Sequence, residues 1–390
     1  MRDNHDITLW AQAWPGNSTF VDFLNENAQS WWSSLFPRFE GVNQLFYHWN
    51  DVNDPCVFNG YIKTMPNWAE HIKADGTRVN HGSLHSAYCL FEHRASLEGM
   101  RRRNGNNLRP FVLSRSFFFG SQRLGPSWTG DTQAQYVECR GSVQEMLAQG
   151  VSGYPFTGAD IPGYKLVPPD DLFIMLYQLG VFYPFMRAHN EINYQAREPW
   201  IQTQRVQDVI RDSIMMRYDL IHYIYNLFYF ANVEGRTIFR PMWQVYPKDR
   251  SLFRAQDQFM FGDALLVCPK LTPKNETNAT YGNDVFVAWC SLPEFEKNLD
   301  GQEIPAIWYY WYTKEAMAGT KAGEQMTLQL GDREFGTYVR GGHILPILDH
   351  DKEMSLLEAF GNSITLQVYL NHDAFANGYI YLDDGETVNN

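Results

Sequence analysis

The sequence predicts an α/β protein that continues into an all-β part, and two observations predict it. From about residue 40 to 235, short apolar runs alternate with longer segments of helical period, which is typical of βα units. Beyond Gly235, short β-rich runs are separated by turn signals such as Gly341-Gly342 and Asn377-Gly378, and helical periods become scarce. The second part of the chain is therefore predicted to be a β-sandwich.

The first part contains about five βα units, whereas a closed (β/α)₈ barrel needs eight in about 250 residues. Either the sheet is open or the chain begins midway through a barrel, and periodicity alone does not decide. Beyond residue 235, strands are expected at 264–267 and 284–289. In the first part the expected elements are, in order, a strand at 45–49, a helix at 85–103, a strand at 111–113, a helix at 136–148, a strand at 154–157, a helix at 172–179, a strand at 182–186 and a helix at 206–231.

Composition excludes several classes of protein. The 390 residues carry a net charge of −12, which disfavours non-specific binding to nucleic acid or to anionic membranes. No run of 18 apolar residues is present, so we expect no membrane insertion. Aromatic residues make up 15% of the chain, which suits flat, partly polar ligands such as sugar rings, although large cores use the same residues.

The cysteines and the first residues of the sequence leave the cellular compartment open. Five cysteines at wide spacings without a CxxC pair favour buried free thiols over a disulfide framework or a zinc site. The first residues lack the apolar region of a signal peptide. Three Asn-X-Ser/Thr sequons, beginning at Asn17, Asn275 and Asn278, modestly favour a secretory route, the last two in a stretch that reads as a polar loop.

Acidic residues follow apolar strands at three places: Asp51, Asp131 and Asp160. The carboxyl ends of strands in a βα barrel form one face, where catalytic groups gather. Three carboxylates beside Trp49, Trp128 and Phe156 would make an acidic pocket with aromatic walls. Such a pocket suits a glycosidase, which needs one carboxylate as nucleophile and a second as acid. Alternatively, each Asp caps a helix or closes a turn.

Arg123 and His189 are further candidates for binding a sugar hydroxyl or orienting a carboxylate. The alternatives are a surface ion pair for Arg123 and a satisfied core histidine for His189. His81 and His85 have the i, i+4 spacing of a metal pair, but no carboxylate or Cys in register supports one. The acidic run at 383–386 is most simply a turn.

These residues carry a resemblance to glycoside hydrolase family 31. Residues 49–55, WNDVNDP, resemble the family's W-x-D-M-N-E-P signature, and 128–131, WTGD, its acid/base motif W-x-G-D. Further similar segments are WPG at 14–16, GADIPGY at 158–164, PFMRAH at 184–189 and GDALLV at 262–267. The resemblance runs in order from about residue 10 to 388, and the SQR loop at 121–123 is most similar to the glucosidase II α-subunit and neutral α-glucosidase branch.

The resemblance implies a retaining exo-α-glucosidase that trims glucose from N-glycans and needs no metal or organic cofactor. Asp51 would be the nucleophile and Asp131 the general acid/base, with their carboxyl groups about 5–5.5 Å apart. It further implies an endoplasmic reticulum or secretory location and a non-catalytic β subunit as partner. The residues implied to line the glucose subsite are Trp14, Trp49, Phe58, Arg123, Trp128, Asp160 and His189.

The chain also departs from the family pattern. Asp54 stands where the signature has Glu, so whatever that Glu orients is expected to be held less well, and Val52 stands for Met, a minor change in apolar shape. Family members carry an N-terminal β-sandwich and three barrel strands before WPG, and the chain stops within the distal C-terminal domain. We therefore expect a fragment with a partial (β/α)₈ barrel at 1–237, a proximal β-sandwich at 238–346 and the start of a distal β domain at 347–390.

Two alternatives to this function remain open. An α-xylosidase or α-galactosidase would share the motifs, because sugar preference depends on pocket residues that the motifs do not include. An inactive, sugar-binding remnant would follow from the missing half of the barrel, which leaves an open sheet edge.

Overall fold

The computed structural model describes residues 1–2, 7–38, 47–281, 285–298, 300–350 and 355–388. It divides into two compact units, Met1–Trp128 together with the segment that begins at Asp383, and Thr129–Leu382. The three domain boundaries expected from the resemblance stay a prediction. Within the described ranges, no helix combines the length and the apolar character that crossing a bilayer requires.

The first unit is built around a short parallel sheet. β3 pairs with β6, and β6 pairs with β7, all in parallel, and α2 packs on β6 through a cluster that includes Leu97, Met100 and Val112. The elements are β1 (Trp10–Ala13), β2 (Gly16–Thr19), α1 (Glu26–Ser33), β3 (His48–Asn50), β4 (Glu70–Ile72), β5 (Arg78–Asn80), α2 (Tyr88–Arg103), β6 (Val112–Ser114) and β7 (Ser127–Trp128).

The second unit begins with helices and very short strands. β9 and β10 pair in parallel, with Asp160 opposite Arg187. The apolar helix α4 is buried along its length because neighbouring elements cover all its sides. The elements are α3 (Tyr136–Val151), β8 (Thr157–Gly158), β9 (Asp160–Ile161), α4 (Asp170–Gly180), β10 (Arg187–Ala188), α5 (Gln204–Asp219) and α6 (Ile221–Glu234).

The paired strands in the rest of the second unit are antiparallel. One six-stranded sheet has the order β11-β12-β13-β20-β17-β18, and β14 pairs separately with β19. The predicted change from α/β to all-β near residue 235 is thus confirmed. The elements are β11 (Phe239–Pro241), α7 (Met242–Val245), β12 (Phe259–Phe261), β13 (Leu265–Cys268), α8 (Lys274–Tyr281), β14 (Phe286–Cys290), β15 (Phe295–Lys297), β16 (Glu303–Pro305), β17 (Ile307–Tyr310), β18 (Ala316–Ala318), β19 (Met326–Leu330), β20 (Gly336–Arg340), β21 (His343–Leu348), α9 (Leu356–Ala359) and β22 (Ile364–Tyr369).

Four predicted elements differ in the structure. The strand expected at 154–157 keeps only Thr157, in the two-residue strand β8. The expected strand at 182–186 is a buried turn after α4, where Phe182 N–H donates to Leu179 O, and pairing begins only at Arg187. The expected helix at 206–231 is two helices that meet at Leu220, a fully buried residue whose apolar character let the helical period run through the break. The expected polar loop at 275–280 lies within helix α8. The strand at 45–49 is partly outside the described residues.

The prediction of free thiols is wrong for two of the five cysteines. Cys268 on β13 and Cys290 on β14 form a disulfide with Cα atoms 5.5 Å apart. No sequence motif marks this pair, because the two residues are 22 positions apart and meet only when strands of two different sheets pack together. Cys56, Cys89 and Cys139 are free, as expected.

Candidate active site

Asp51 directly follows β3, at the carboxyl end of a parallel strand. Its Oδ1 accepts a hydrogen bond from the Val52 N–H at 2.8 Å and lies 3.1 Å from Nη1 of Arg115. Oδ2 makes no hydrogen bond to the described residues, and the side chain is 34% exposed. The carboxylate is therefore fixed through one oxygen and leaves the other oxygen accessible.

Arg115 connects this carboxylate to the residue that departs from the family signature. Its Nη2 donates to Oδ1 of Asp54 at 3.1 Å, while Nη1 faces Asp51. Arg115 follows β6 as Asp51 follows β3, and its N–H donates to Asn50 O at 3.0 Å. Since β3 and β6 are parallel neighbours, their carboxyl ends place the three side chains together. Despite its shorter side chain, Asp54 still reaches an orienting partner.

The loop after β3 is also fastened by Asn53, which is 2% exposed. Its Nδ2 donates to Ser114 Oγ at 2.8 Å and its Oδ1 accepts from the Ser116 N–H at 2.9 Å. We missed Asn53 and Arg115 in the sequence. Arg115 stands two residues after the strand expected at 111–113, as Asp51 stands two residues after the strand expected at 45–49, so the same signal extended from acidic to basic residues would have selected it.

Val52 has a left-handed backbone, with φ of 50°. A β-branched residue rarely adopts this region, and such strain costs on the order of 1–3 kcal/mol. Val52 in place of the signature Met therefore affects the backbone conformation beside Asp51. This effect comes in addition to the change in apolar shape that the sequence indicated.

The predicted aromatic residues of the first unit form two edge-to-face pairs. The ring centroids of Trp14 and Phe58 are 5.0 Å apart, and those of Trp49 and Trp128 are 5.4 Å apart. Trp14 is 76% exposed, whereas Trp128 is buried on β7. The exposed faces of Trp14 and Trp49 are available to a flat ligand.

Arg123 ends a short 3₁₀ turn that begins at Ser121, and it is exposed. It makes no ion pair with any residue that the structure describes, so the surface ion pair considered as its alternative is not seen there.

In the second unit, Asp160 on β9 is fully buried and pairs with Arg187 on β10. Arg187 Nη2 lies 2.5 Å from Asp160 Oδ1. This contact follows from the parallel register, which places the two residues opposite each other. Asp160 is thus part of a buried ion pair, a group whose desolvation is tolerated only because the charges neutralise one another.

The segment after Asp131 is tied to the loop after Asp160. The N–H groups of Tyr164 and Lys165 donate to Thr132 O, and the Ala134 N–H donates to Lys165 O. Gly163 permits this approach because its φ is 103° and an added Cβ would lie 2.7 Å from the Ala134 backbone. Asp131 itself is exposed. These backbone bonds place two of the predicted acidic segments side by side.

His189 follows β10 and is half-buried. The His189 ring stacks on the Tyr164 ring, with centroids 4.9 Å apart. The backbone N–H of His189 donates to Ile161 O. The three predicted segments of the second unit, around Asp131, Asp160 and His189, are therefore joined through the residues that follow Asp160.

His81 and His85 belong to a hydrogen-bonded chain in the first unit. His71 Nδ1 contacts Asp22 Oδ1 at 2.5 Å, His71 Nε2 contacts His81 Nδ1 at 3.0 Å, and His81 Nε2 contacts His85 Nδ1 at 2.7 Å. Burial, together with the neighbouring His71 and His85, lowers the pKa of His81 to about 4. These ring nitrogens are hydrogen-bonded to one another, so the i, i+4 spacing of His81 and His85 reflects a hydrogen-bonded chain of histidines.

The acidic run at 383–386 is a turn, as predicted. Asp383 Oδ1 accepts from the Gly385 N–H, and Asp384 Oδ1 accepts from the N–H groups of Glu386 and Thr387. Gly385 has φ of 72°, the left-handed conformation that such a turn requires.

Two family models match the chain. The model of the glycosyl hydrolases family 31 TIM-barrel domain matches residues 1–227, and that of the glycosyl hydrolase family 31 C-terminal domain matches residues 235–345. The chain belongs to glycoside hydrolase family 31. The resemblance inferred from the motifs is confirmed, and so is the predicted fold class of a partial (β/α)₈ barrel followed by a C-terminal β domain.

Relatives within the family are α-glucosidases. Neutral alpha-glucosidase AB of Mus musculus is 36% identical over 390 residues, which are 100% of this chain and 38% of that protein. A probable glucan 1,3-alpha-glucosidase of Oryza sativa subsp. japonica is 35% identical over 98% of this chain and 38% of that protein. The chain thus spans about 38% of the length of these curated relatives.

Solved structures extend the comparison. A glucosidase II alpha subunit with Glc1Man2 bound superposes with a TM-score of 0.89 at 31% identity, over 99% of this chain and 40% of that chain. The catalytic subunit of an ER glucosidase II heterodimeric complex with the binding domain of its regulatory subunit gives a TM-score of 0.87 at 30% identity, over 99% of this chain and 40% of that chain. The chain is therefore a homologue of the ER glucosidase II catalytic subunit.

Proposed function

We propose that the chain is the catalytic part of a retaining exo-α-glucosidase that removes terminal α-linked glucose during N-glycan trimming. The observation that carries the proposal is the Asp51 carboxylate at the end of β3, fixed through Oδ1 by Arg115 and the Val52 N–H, with Oδ2 accessible. A nucleophile in a retaining glycosidase needs one fixed and one reactive oxygen.

In the proposed reaction, Asp51 Oδ2 attacks the anomeric carbon while Asp131 donates its proton to the leaving glycosidic oxygen. A covalent glycosyl-Asp51 ester results, and the aglycone leaves as an alcohol. Asp131, now a carboxylate, takes a proton from water, and the resulting hydroxide attacks the same carbon, releasing glucose and Asp51. Both steps invert the anomeric carbon, so the overall configuration is retained.

The proposed glucose subsite uses the side chains described above. Trp14 and Trp49 offer exposed aromatic faces, Arg123 an exposed set of donors, and His189 a half-buried ring. Asp160, held by Arg187, would accept hydrogen bonds from sugar hydroxyls.

We propose the endoplasmic reticulum lumen or another part of the secretory pathway as the location, and a non-catalytic β subunit as partner. The homologous ER glucosidase II complex supports both. The sequon residues Asn17 and Asn275 are exposed, and the Cys268–Cys290 disulfide is typical of an oxidising compartment. The side chain of Asn278 lies outside the described residues.

The test is hydrolysis of 4-nitrophenyl α-D-glucoside by this chain and by the complete product of its gene. Asp51→Asn should lower kcat by at least about 10³-fold. Asp131→Ala should lose activity that azide restores, with α-glucosyl azide as product, because azide needs no general base.

The matched control is Asp75→Asn, an exposed carboxylate in the turn between β4 and β5, which should leave kcat unchanged. Activity that survives Asp51→Asn, or Asp131→Ala that azide does not rescue, would refute the assigned roles. Turnover of aryl α-xyloside or α-galactoside alone would favour the other sugar preferences. Glucose binding without turnover by either form of the protein would favour a non-catalytic remnant.

A further inference from the structure

A cleft of about 830 Å³ lies in the C-terminal β domain, among residues that the proposed reaction does not use. It is bounded by the segment 244–251, by β15 with the residues before it, and by Glu303 and Arg340. All of these belong to the second compact unit. The volume is within the range of about 300–1,000 Å³ typical of small-molecule sites.

A buried carboxylate lines the cleft. Glu296 is 5% exposed, and its Oε2 accepts from Arg340 Nε at 2.9 Å. Its other oxygen, Oε1, is buried and has no hydrogen-bond partner among the described residues. Burial raises the pKa of Glu296, and the Arg340 guanidinium opposes that effect. Buried oxygens without a partner are rare in proteins, so Oε1 is an acceptor that lacks its donor.

A second unpaired group lies beside the first. The Tyr246 hydroxyl is buried without a hydrogen-bond partner among the described residues. The Arg340 guanidinium carbon lies 5.7 Å from the centroid of the Tyr246 ring. Glu296, Arg340 and Tyr246 thus form one cluster that offers an acceptor and a hydroxyl to a ligand with vicinal polar groups.

The walls of the cleft are mainly apolar and its rim is electrically balanced. Phe295 is 44% exposed, and Pro247 and Pro293 line the same cleft. The rim carries three cationic and three anionic side chains, and two of them, Lys248 and Glu303, pair at 3.4 Å. This balance favours a neutral ligand over a phosphate or a polycation. The charged rim residues are Lys248, Arg250, Lys297, Asp249, Glu294 and Glu303.

We propose that this cleft is a second carbohydrate-binding site, which holds a hexose unit of a neutral oligosaccharide. The apolar face of the sugar ring would pack on Phe295, and its hydroxyls would donate to Glu296 Oε1 and bond with the Tyr246 hydroxyl. Uncharged rings with one apolar face and several hydroxyls match the apolar wall, the unpaired acceptor and the balanced rim together. The site goes beyond the proposed hydrolysis and does not depend on it.

The experiment measures binding by saturation-transfer NMR and calorimetry, with maltotriose and α-1,2-mannobiose as separate probes and the chain carrying Asp51→Asn as the starting protein. At least one probe should bind. Phe295→Ala should weaken that binding at least about tenfold and Tyr246→Phe about fivefold, because one removes the stacking surface and the other a single hydroxyl. Trp200→Ala, which removes a more exposed aromatic residue outside the cleft, should leave the affinity unchanged.

No binding of either probe at about 10 mM would overturn the proposal. So would binding that neither Phe295→Ala nor Tyr246→Phe weakens, since the sugar would then sit elsewhere. Tyr246→Phe keeps the ring and its packing, so it still tests the site if Phe295→Ala does not fold. Failure of the proposed glucosidase function would appear as absent hydrolysis and would leave these affinities unchanged.

Discussion

Arg115 holds two carboxylates at the end of β3, Asp51 and Asp54, each at 3.1 Å. Its own side chain is 22% exposed, so water screens these ion pairs only in part. A guanidinium that binds two carboxylates fixes their mutual orientation better than a lysine could, because its donors are planar and rigid. The contact of Asp54 with Arg115 therefore bears directly on how Asp51 is aimed.

At this scale we predict that Asp54→Asn lowers kcat about two- to tenfold, because it weakens one of the two contacts that position Arg115. KM should change little, since Asp54 is not proposed to touch the sugar. Asp54→Glu is the matched variant and should keep kcat within about twofold, because it preserves the charge. Steady-state kinetics on 4-nitrophenyl α-D-glucoside give both values. Equal losses for the two variants would contradict a role through charge.

At the scale of elements, the junction between the segments at 132–134 and 163–165 orders the surroundings of Asp131 and Asp160. It consists of backbone hydrogen bonds, and Gly163 is the position where the two segments approach most closely. Because these bonds do not involve side chains, their strength depends on the backbone path rather than on side-chain identity.

We predict that Gly163→Ala separates these segments and lowers the unfolding free energy by about 3 kcal/mol or more, from a disfavoured φ and a clash with the Ala134 backbone. Gly153→Ala is the control, because Gly153 has φ of 81° with no atom within 4 Å of an added Cβ. It should cost only about 1–2 kcal/mol. Urea unfolding measures both, and equal costs would show that the close approach at Gly163 contributes nothing.

Elements with a local signal were predictable, and features made by long-range packing were not. The helices at 88–103, 136–151 and 170–180 follow from apolar period, and Asp51 follows from its place after an apolar strand, whereas Asp160, expected after a strand, begins β9. The helix break at Leu220 has no signal in the sequence, because a buried leucine is compatible with one long helix as well as with two. The Cys268–Cys290 bond and the Glu296–Arg340 pair depend on strands far apart in sequence.

At the scale of the whole molecule, buried histidines make stability depend on pH. Burial lowers the pKa of His81, His93 and His343 to about 4. In the unfolded chain these three histidines take up a proton near pH 6.5. In the folded protein they do so only near pH 4. Their stabilisation is therefore complete above pH 6.5 and is lost as the pH falls from 6.5 towards 4.

We predict that the unfolding free energy falls by about 2 kcal/mol for each fully buried histidine, His81 and His93, between pH 7 and pH 5. Urea unfolding at pH 7, 6 and 5 measures the decrease. His93→Gln keeps a donor for Val112 O, which His93 Nε2 now contacts at 3.0 Å, and should reduce the slope by about a third, because His81 and His343 remain. A midpoint that is constant over this range would contradict the prediction.

The bond between Cys268 and Cys290 also determines how far the protein can be stretched. Pulling the chain by its two ends cannot extend the residues between these cysteines, because the force passes through the sulfur atoms. With a separation of 22 residues, the fully extended length is shorter by about 70 Å, at about 3.3–3.6 Å per residue and less the 5.5 Å that the bond itself spans. A reducing agent would return that length as a separate final step in a force–extension trace.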